Sequence, residues 1–539
     1  MEDHIFSHFN AILLFISLTL FSIFIWKITK TCKHSKPQHP FPPEISGGWP
    51  VIGHLLQFSG NDNVPLSRKL TFLADKYGPV FTFRLGLPRI LVVSSYDAVR
   101  DCLNTNDKVF SDRPASLAGE YIGYNNAMLF LASYGTYWRK IRKIVIKEVL
   151  SSSRLEKLKN VRVSEVQMSI KELYSLFPVT RDNLDNPVVK VNLTNWIEKL
   201  TLSLIVKMIA GKSYGRLNER VEDEEEAERF KKALKDFMYI SMEFVLWDAF
   251  PIPLFKWIDF QGHVKFMKRT FKDIDCVLQN WLDEHVKKRE SVDVVVAGNE
   301  QDFIDVMLSM MSHEDFADSY TRETTIKATA LSMVLDASDT TAIHLNWVMA
   351  TLLNHRDVMK KVQEELDTKV GRNRWIEESD MTNLVYFQAV VKETLRLYPP
   401  APLLVPHESV EDCFVQGYHI PKGTRLWVNT MKLQRDPKIW SNPDTFDPER
   451  FLTSQVGVDV RGQQYEFIPF GSGRRSCPGI TYATQVTHLA IAHLLQGFDF
   501  STPSNQPLDM KEGLGMTMRK VNPIEVLIMP RLPSVLYKF

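Results

Sequence analysis

Hydrophobic and polar positions divide this chain into a short apolar head and a long patterned body. From Ala11 to Trp26 the run AILLFISLTLFSIFIW carries no charge, and only Ser17, Thr19 and Ser22 interrupt it. With Phe9 and Ile28 as flanks it approaches the roughly 20 apolar residues that cross about 30 Å of hydrocarbon as a helix. Glu2 and Asp3 precede the run, and Lys27, Lys30, Lys33 and Lys36 follow it. A cleaved signal peptide carries its positive charge ahead of a shorter core, so a retained anchor is expected over 1–36. Lysines stay on the cytoplasmic face, which puts the rest of the chain in the cytosol behind a single-pass anchor. Next come Pro37, Pro40, Pro42, Pro43 and Pro50, ending at Gly53. Fixed φ angles make 37–53 a semi-rigid hinge, with the body at 54–539.

The body reads as mainly helical. Its longest pattern runs from Thr324 to His355 without Pro or Gly. A helix of that extent is roughly 45 Å long. It is apolar nearly all round and is therefore expected inside the protein. Strand-like stretches are short: Val80–Arg84, Ile90–Val93, Gly417–His419 and Glu525–Met529. No repeat of 20–50 residues is present, which excludes solenoids and propellers. The acidic run Glu222–Glu228 reads as a solvated loop or helix face.

Composition removes other classes. Lys+Arg 65 against Asp+Glu 64 gives a net charge of +1, without the basic excess of a nucleic-acid binder. At 44% hydrophobic and 24% charged the chain is neither disordered nor collagen-like. Its 539 residues would suit three ordinary domains. The five cysteines, Cys32, Cys102, Cys276, Cys413 and Cys477, form no C-x-x-C pair, so a zinc or dithiol site has no support. In the cytosol they stay reduced.

One cysteine stands apart. Phe470-Gly471-Ser472-Gly473-Arg474-Arg475-Ser476-Cys477-Pro478-Gly479 is a glycine-rich loop placed just before a helical pattern over Ala483 to Leu495. The start of a helix favours a thiolate, small residues admit a flat partner, and Arg475 offers a fork for a carboxylate. A lone cysteine is more often a small buried hydrophobe. Elsewhere, Glu393 and Arg396 share a helix face at i,i+3, and Arg450 lies in the segment Asp447-Pro448-Glu449-Arg450-Phe451. Trp138 and Arg142 are one helical turn apart, and the long helix carries Asp336-Ala337-Ser338-Asp339-Thr340-Thr341.

Taken together these segments resemble the cytochromes P-450, the haem-thiolate monooxygenases. Phe470, Gly473, Arg475, Cys477 and Gly479 match the fixed places of the haem signature F-x-x-G-x-R-x-C-x-G. The resemblance implies one large mainly α domain with small β-sheets, in place of three domains. It implies Cys477 as axial ligand of haem b, Phe470 near the sulfur, and Arg475, Trp138 and Arg142 on the propionates. Glu393, Arg396 and Arg450 would form a buried network that secures geometry. Asp339 and Thr340 match the family's oxygen-activation motif, where a carboxylate and a hydroxyl supply protons in a dry pocket. The competing role for Thr340 is a bond back to the carbonyl four residues earlier.

Departures from that motif lie one turn earlier, at Ala337 and Asp336. Asp336 shares a face with Asp339 and Thr340, and a carboxylate there is expensive to bury unpaired. It either pairs with a cationic amine of the substrate or makes an internal bond to backbone, water or an arginine. The segment Pro399–Ser409 and the C-terminal Glu525–Leu532 further resemble plant microsomal enzymes of family 82. That likeness implies a pocket with Phe130, Leu131, Leu403, Leu404 and Met516, suited to a flat hydrophobic molecule. A benzylisoquinoline or protoberberine alkaloid is the expected substrate, with terpenoids, coumarins and flavonoids as alternatives.

No dinucleotide motif is present, so electrons are expected from outside, and the resemblance implies NADPH–cytochrome P-450 reductase as their source. The partner would be drawn by Arg139, Lys140, Lys143 and Lys147. The expected location is the endoplasmic reticulum membrane. Two other outcomes use the same haem: oxidative ring coupling, or peroxide isomerisation, which Asp339 and Thr340 disfavour. A haem-binding sensor is the non-enzymatic alternative.

Overall fold

The structure is a computed structural model that describes residues 39–538, apart from 60–62, 179–187, 215–220, 258, 260, 291–300, 313–318 and 504. The expected anchor over 1–36 lies outside the described residues. Among those described, no helix is long and apolar enough to cross a membrane.

Eight helices frame the site: α1 (Thr136–Ile144), α2 (Lys159–Ser175), α3 (Leu193–Ala210), α4 (Val221–Met242), α5 (His263–Glu290), α6 (Arg322–Asn354), α7 (Val385–Leu397) and α8 (Ile480–Gly497). The expected long helix is α6, which runs 33 residues from a Thr321 cap whose hydroxyl accepts the Thr324 N–H at 3.1 Å. It packs against α3, α5, α7 and α8. Its burial is nearly complete over Thr325–Leu335 and Thr341–Leu353, and breaks only at Asp336–Thr340. An apolar helix with one polar, open turn at its middle needs a cavity there.

Among the described residues, nine short strands form three small sheets. One has the order β1 (Val80–Arg84), β2 (Arg89–Val93), β7 (Arg425–Val428) and β4 (His407–Glu408), with β2 and β7 parallel and the other pairs antiparallel. A second joins β3 (Val189–Asn192), β9 (Glu525–Pro530) and β8 (Phe498–Ser501), and the third pairs β5 (Cys413–Val415) with β6 (Tyr418–Ile420). Alternating β1 and β2 side chains feed two separate apolar clusters, one around Leu91 and Val93 and one around Phe81, Phe83 and Ile90. The helices share the largest cluster.

Two expectations change on this frame. The described part of the proline-rich hinge is fastened to the body: Ile45 N donates to Thr82 O at 3.0 Å, and Ile45 is buried against Phe81 and Phe83. The acidic run opens α4, and Glu226 is not merely solvated. It accepts from Lys212 at 3.2 Å and from the Tyr214 hydroxyl at 3.0 Å.

Candidate active site

The cysteine loop lies between α1 and the start of α8. Cys477 N donates to Phe470 O at 2.9 Å, and Ser476 N to Gly473 O at 3.1 Å, which closes the loop into a tight hook. Gly473 has φ +70°, and a Cβ there would meet Leu103 O at 2.5 Å and Asp107 Oδ1 at 2.6 Å. Gly479 has φ −91° and caps α8, and a Cβ on it would meet only Cys477 Sγ at 3.7 Å. Phe470 packs with Phe467, Trp440 and Ile480 beneath the hook.

Gly479 N donates to Cys477 Sγ at 3.3 Å. Burial dominates and pushes the thiol up to about 11, while the Gly479 N–H and Arg142 pull the other way. A bound metal ion reverses that balance, because a coordinating thiol gives up its proton.

Three guanidiniums converge beside the hook. Arg142 Nη2 donates to Ser476 O at 2.7 Å, and Arg475 donates to Ser111 O at 2.8 Å and Ala132 O at 2.7 Å. The third, Arg113, was not singled out by sequence. It donates to Phe130 O at 3.0 Å, Val405 O at 2.8 Å and Pro406 O at 2.7 Å. Burial, with Arg475 and Arg142 adding repulsion, lowers Arg113 to about 9, and burial lowers Arg475 to about 10. His407, buried with Nδ1 2.7 Å from Phe110 O, is held well below its ordinary value by burial and by Arg113. Asp112 is the carboxylate that offsets Arg113 and Arg475, and Arg475 Nη1 is buried with no partner among the described residues. Such a cluster fits an anion carrying more than one carboxylate.

Trp138 serves this cluster differently from expected. Its Nε1–H goes to Leu129 O at 3.1 Å, so it is not free for a propionate. Its ring instead carries the guanidiniums of Arg475 at 4.3 Å and Arg142 at 5.2 Å, a cation–π arrangement that orients both. The neighbouring Arg474 turns outward to Asp107 at 2.8 Å.

Glu393, Arg396 and Arg450 come together fully buried. Glu393 accepts from Arg396 twice at 2.7 Å, from Arg450 Nε at 3.0 Å and from Asp447 N at 2.9 Å. The remaining guanidinium N–H groups reach the carbonyls of Gln434, Pro443, Thr445 and Ser441. Two guanidiniums share the one Glu393 carboxylate and carbonyls take their other N–H groups, which ties α7 to the segment leading into the hook.

On the open turn of α6, Asp339 and Thr340 face different partners. Asp339 Oδ1 is ion-paired with Arg519, a residue the sequence did not mark, and Asp339 Oδ2 is buried with no partner among the described residues. Burial raises the Asp339 carboxyl while Arg519 opposes the rise. Thr340 Oγ1 donates to Asp336 O, four residues back, the bond a helical threonine makes by default. Asp336 lies deep in the protein yet its side chain is open, because it faces an interior space. Cys477 feels its charge, as do Arg113 and Asp339, so all four border the same region.

Of the expected pocket residues, Phe130 and Leu131 are half-buried beside Arg113 and Gly123. Leu403 is corrected: at 5% exposed it belongs to the cluster of Leu70, Phe81 and Phe83 under the first sheet. Leu404 packs with the neighbouring sheet cluster and would lie 3.8 Å from a Cβ on Gly471. Met516 is 40% exposed on the loop that leads to Arg519.

Comparison with known proteins fits this geometry. The cytochrome P-450 family profile matches residues 42–528. Nicotine N-demethylase of Nicotiana tomentosiformis is 64% identical over 532 residues, 98% of this chain and 100% of that one. Vinorine hydroxylase of Rauvolfia serpentina is 48% identical over 513 residues, 95% of each chain. Xanthotoxin 5-hydroxylase of Arabidopsis thaliana is 44% identical over 541 residues, 100% of each. A solved zebrafish cytochrome P-450 with progesterone superposes with a TM-score of 0.71 at 26% identity, covering 87% of this chain and 100% of that one. The family binds haem through a cysteine thiolate on iron and takes its electrons from NADPH through a reductase. A half-buried cysteine in a glycine hook and a guanidinium cluster seeking carboxylates suit that group. The chain belongs to the cytochrome P-450 monooxygenases, within plant family 82.

Proposed function

We propose that this chain oxidises the carbon beside a tertiary-amine nitrogen in a plant alkaloid, with nicotine as the first substrate to test. Support comes from the 64% identity to nicotine N-demethylase and from vinorine hydroxylase among the relatives. These names move the substrate away from the benzylisoquinoline scaffold expected from sequence. The observation that carries the haem part is the half-buried Cys477 thiol beside the guanidiniums of Arg113, Arg142 and Arg475.

Bound haem supplies the activation of O2, whose one atom enters the substrate and whose other leaves as water. Cys477 Sγ would hold the iron, and Arg113, Arg142 and Arg475 would hold the carboxylates. Trp138 keeps two of those guanidiniums in place. On the open turn Asp339, ionised against Arg519, can take up a proton at Oδ2, and Thr340 carries one at Oγ1. In the overall balance, NADPH, a proton and O2 convert a methyl C–H to C–OH with release of water and NADP+. The carbinolamine C–N bond then breaks, its hydroxyl proton passes to nitrogen, and formaldehyde leaves with a secondary amine. The location we propose is the endoplasmic reticulum membrane, supported by the Ala11–Trp26 run and the lysines behind it.

The test is twofold. The reduced carbon monoxide complex of the full chain should show the red-shifted Soret band of thiolate ligation, lost in Cys477→Ser. Reconstituted with reductase and NADPH, nicotine should yield formaldehyde and demethylated product in equal amounts. Product oxidised at another carbon without formaldehyde would overturn the demethylation reading.

A further inference from the structure

We infer that Asp336 is the anion that binds the ammonium group of a cationic amine substrate, and so sets which molecules this chain accepts. This rests on the amine reading above and adds the residue that enforces it.

Position comes first. Asp336 is the first residue of the open stretch at the middle of α6, and its neighbours Val334 and Leu335 are buried. Its side chain is directed into the interior space that Cys477 also borders. Its own carbonyl accepts the Thr340 hydroxyl, so a group held by Asp336 lies beside the Asp339–Thr340 turn. In an N-methyl amine the carbon to be oxidised is one bond from the nitrogen. Gripping the nitrogen here therefore brings the methyl to the reacting region.

The second observation is what Asp336 lacks. Other deeply placed carboxylates have partners: Glu393 has two arginines, Asp339 has Arg519, and Glu165 accepts from Ser203 Oγ at 2.9 Å. No hydrogen bond or ion pair reaches the Asp336 carboxylate among the described residues. Arg113 is the cation that acts on it, but without an ion pair. That guanidinium is spent on three backbone carbonyls and would, with the cofactor bound, help to hold its carboxylates. The internal-bond alternative for Asp336 thus finds no partner in the described protein.

Energetics point the same way. An unpaired carboxylate in a dry site costs several kcal/mol unless it is neutralised or paired. Burial, aided by Asp339 and opposed by Arg113, pushes Asp336 up to about 7. A bound ammonium restores its charge and recovers the penalty. A neutral ligand of the same shape cannot.

The test uses the haem-loaded full chain and equilibrium dialysis. The probes are nicotine quaternised at its pyrrolidine nitrogen and the neutral analogue with carbon in place of that nitrogen. Wild type should bind the cation at least 10-fold tighter. Asp336→Asn should lose at least 10-fold for the cation and less than 3-fold for the neutral probe, whereas Asp336→Glu should retain the cation preference. Equal affinity of wild type for both probes, or equal losses in Asp336→Asn, would overturn the assignment, and the wild-type comparison holds even if the variant does not fold. Formaldehyde from nicotine with no cation preference would leave the proposed reaction standing and remove Asp336. Cation preference without formaldehyde would do the reverse.

Discussion

Asp339 and Arg519, 180 positions apart in the chain, are ion-paired at the open turn of α6. The pair neutralises one of the two carboxylates on that turn and fastens the C-terminal loop over it. Nearby, Trp347 Nε1 donates to Met518 O at 2.6 Å and Trp347 stacks on Tyr398 at 4.3 Å, so the loop is anchored at the residue just before Arg519.

Arg519 should therefore shape the pH dependence of turnover. Burial raises the Asp339 carboxyl, and Arg519 is the main group opposing it. Arg519→Met removes the opposition, so a proton is held to higher pH and the ionised fraction near neutrality falls. The acidic limb of the NADPH-driven rate profile should move up by about one to three pH units. Arg519→Lys should restore most of the wild-type profile. Superimposable limbs in all three proteins would show that Asp339 does not report in the rate.

Glu393→Gln should be strongly destabilising. It leaves two buried guanidiniums, 0% and 2% exposed, without their shared carboxylate. Breaking a buried pair in this way costs about 3–5 kcal/mol. Denaturant unfolding of variant and wild type measures it, and a loss below 1 kcal/mol would mean that the carbonyl bonds alone hold the arginines.

The two signature glycines should respond oppositely to alanine. At Gly473 a methyl meets Leu103 O and Asp107 at under 3 Å, in a left-handed backbone that L-residues avoid. At Gly479 the backbone is ordinary and the methyl has van der Waals room at 3.7 Å from Sγ. Gly473→Ala should lose most haem incorporation, measured by the absorbance ratio of the Soret band to protein, while Gly479→Ala keeps most of it.

The exposed face of α1 should govern electron delivery. Arg142 on its inner side touches the hook at Ser476 O, and Arg139, Lys140 and Lys143 point out to solvent. Lys147 falls in a π-turn after the helix and pairs with Glu148 at 3.2 Å, which weakens its part. Arg139→Glu with Lys143→Glu should slow reductase-driven turnover about 10-fold or more at low salt and leave peroxide-driven turnover unchanged. Equal slowing of both would place the effect in the site itself.

Short-range chemistry is what the sequence settled alone. A 32-residue stretch without Gly or Pro gave the span of α6 within two residues at each end. Alternating β-branched and aromatic positions gave β1 outright, and the i,i+3 step gave the Glu393–Arg396 pair. The ordered loop around Cys477 was legible because its glycines and cysteine are consecutive and their spacing is rigid.

Tertiary packing decided the rest. Arg113 and Arg519 look like any solvated arginine in sequence, since nothing within a helical turn of either shows that the guanidinium will be buried or paired. Leu403 and Leu404 are adjacent and chemically alike, and the twist of the chain there sends them into two different apolar clusters. Trp138 kept its place but spent its N–H on Leu129 O, which only the fold brings within reach. Periodicity depends on bonds between near neighbours, so it survives in one dimension. The company a buried charge keeps depends on segments hundreds of residues apart and exists only once they have packed.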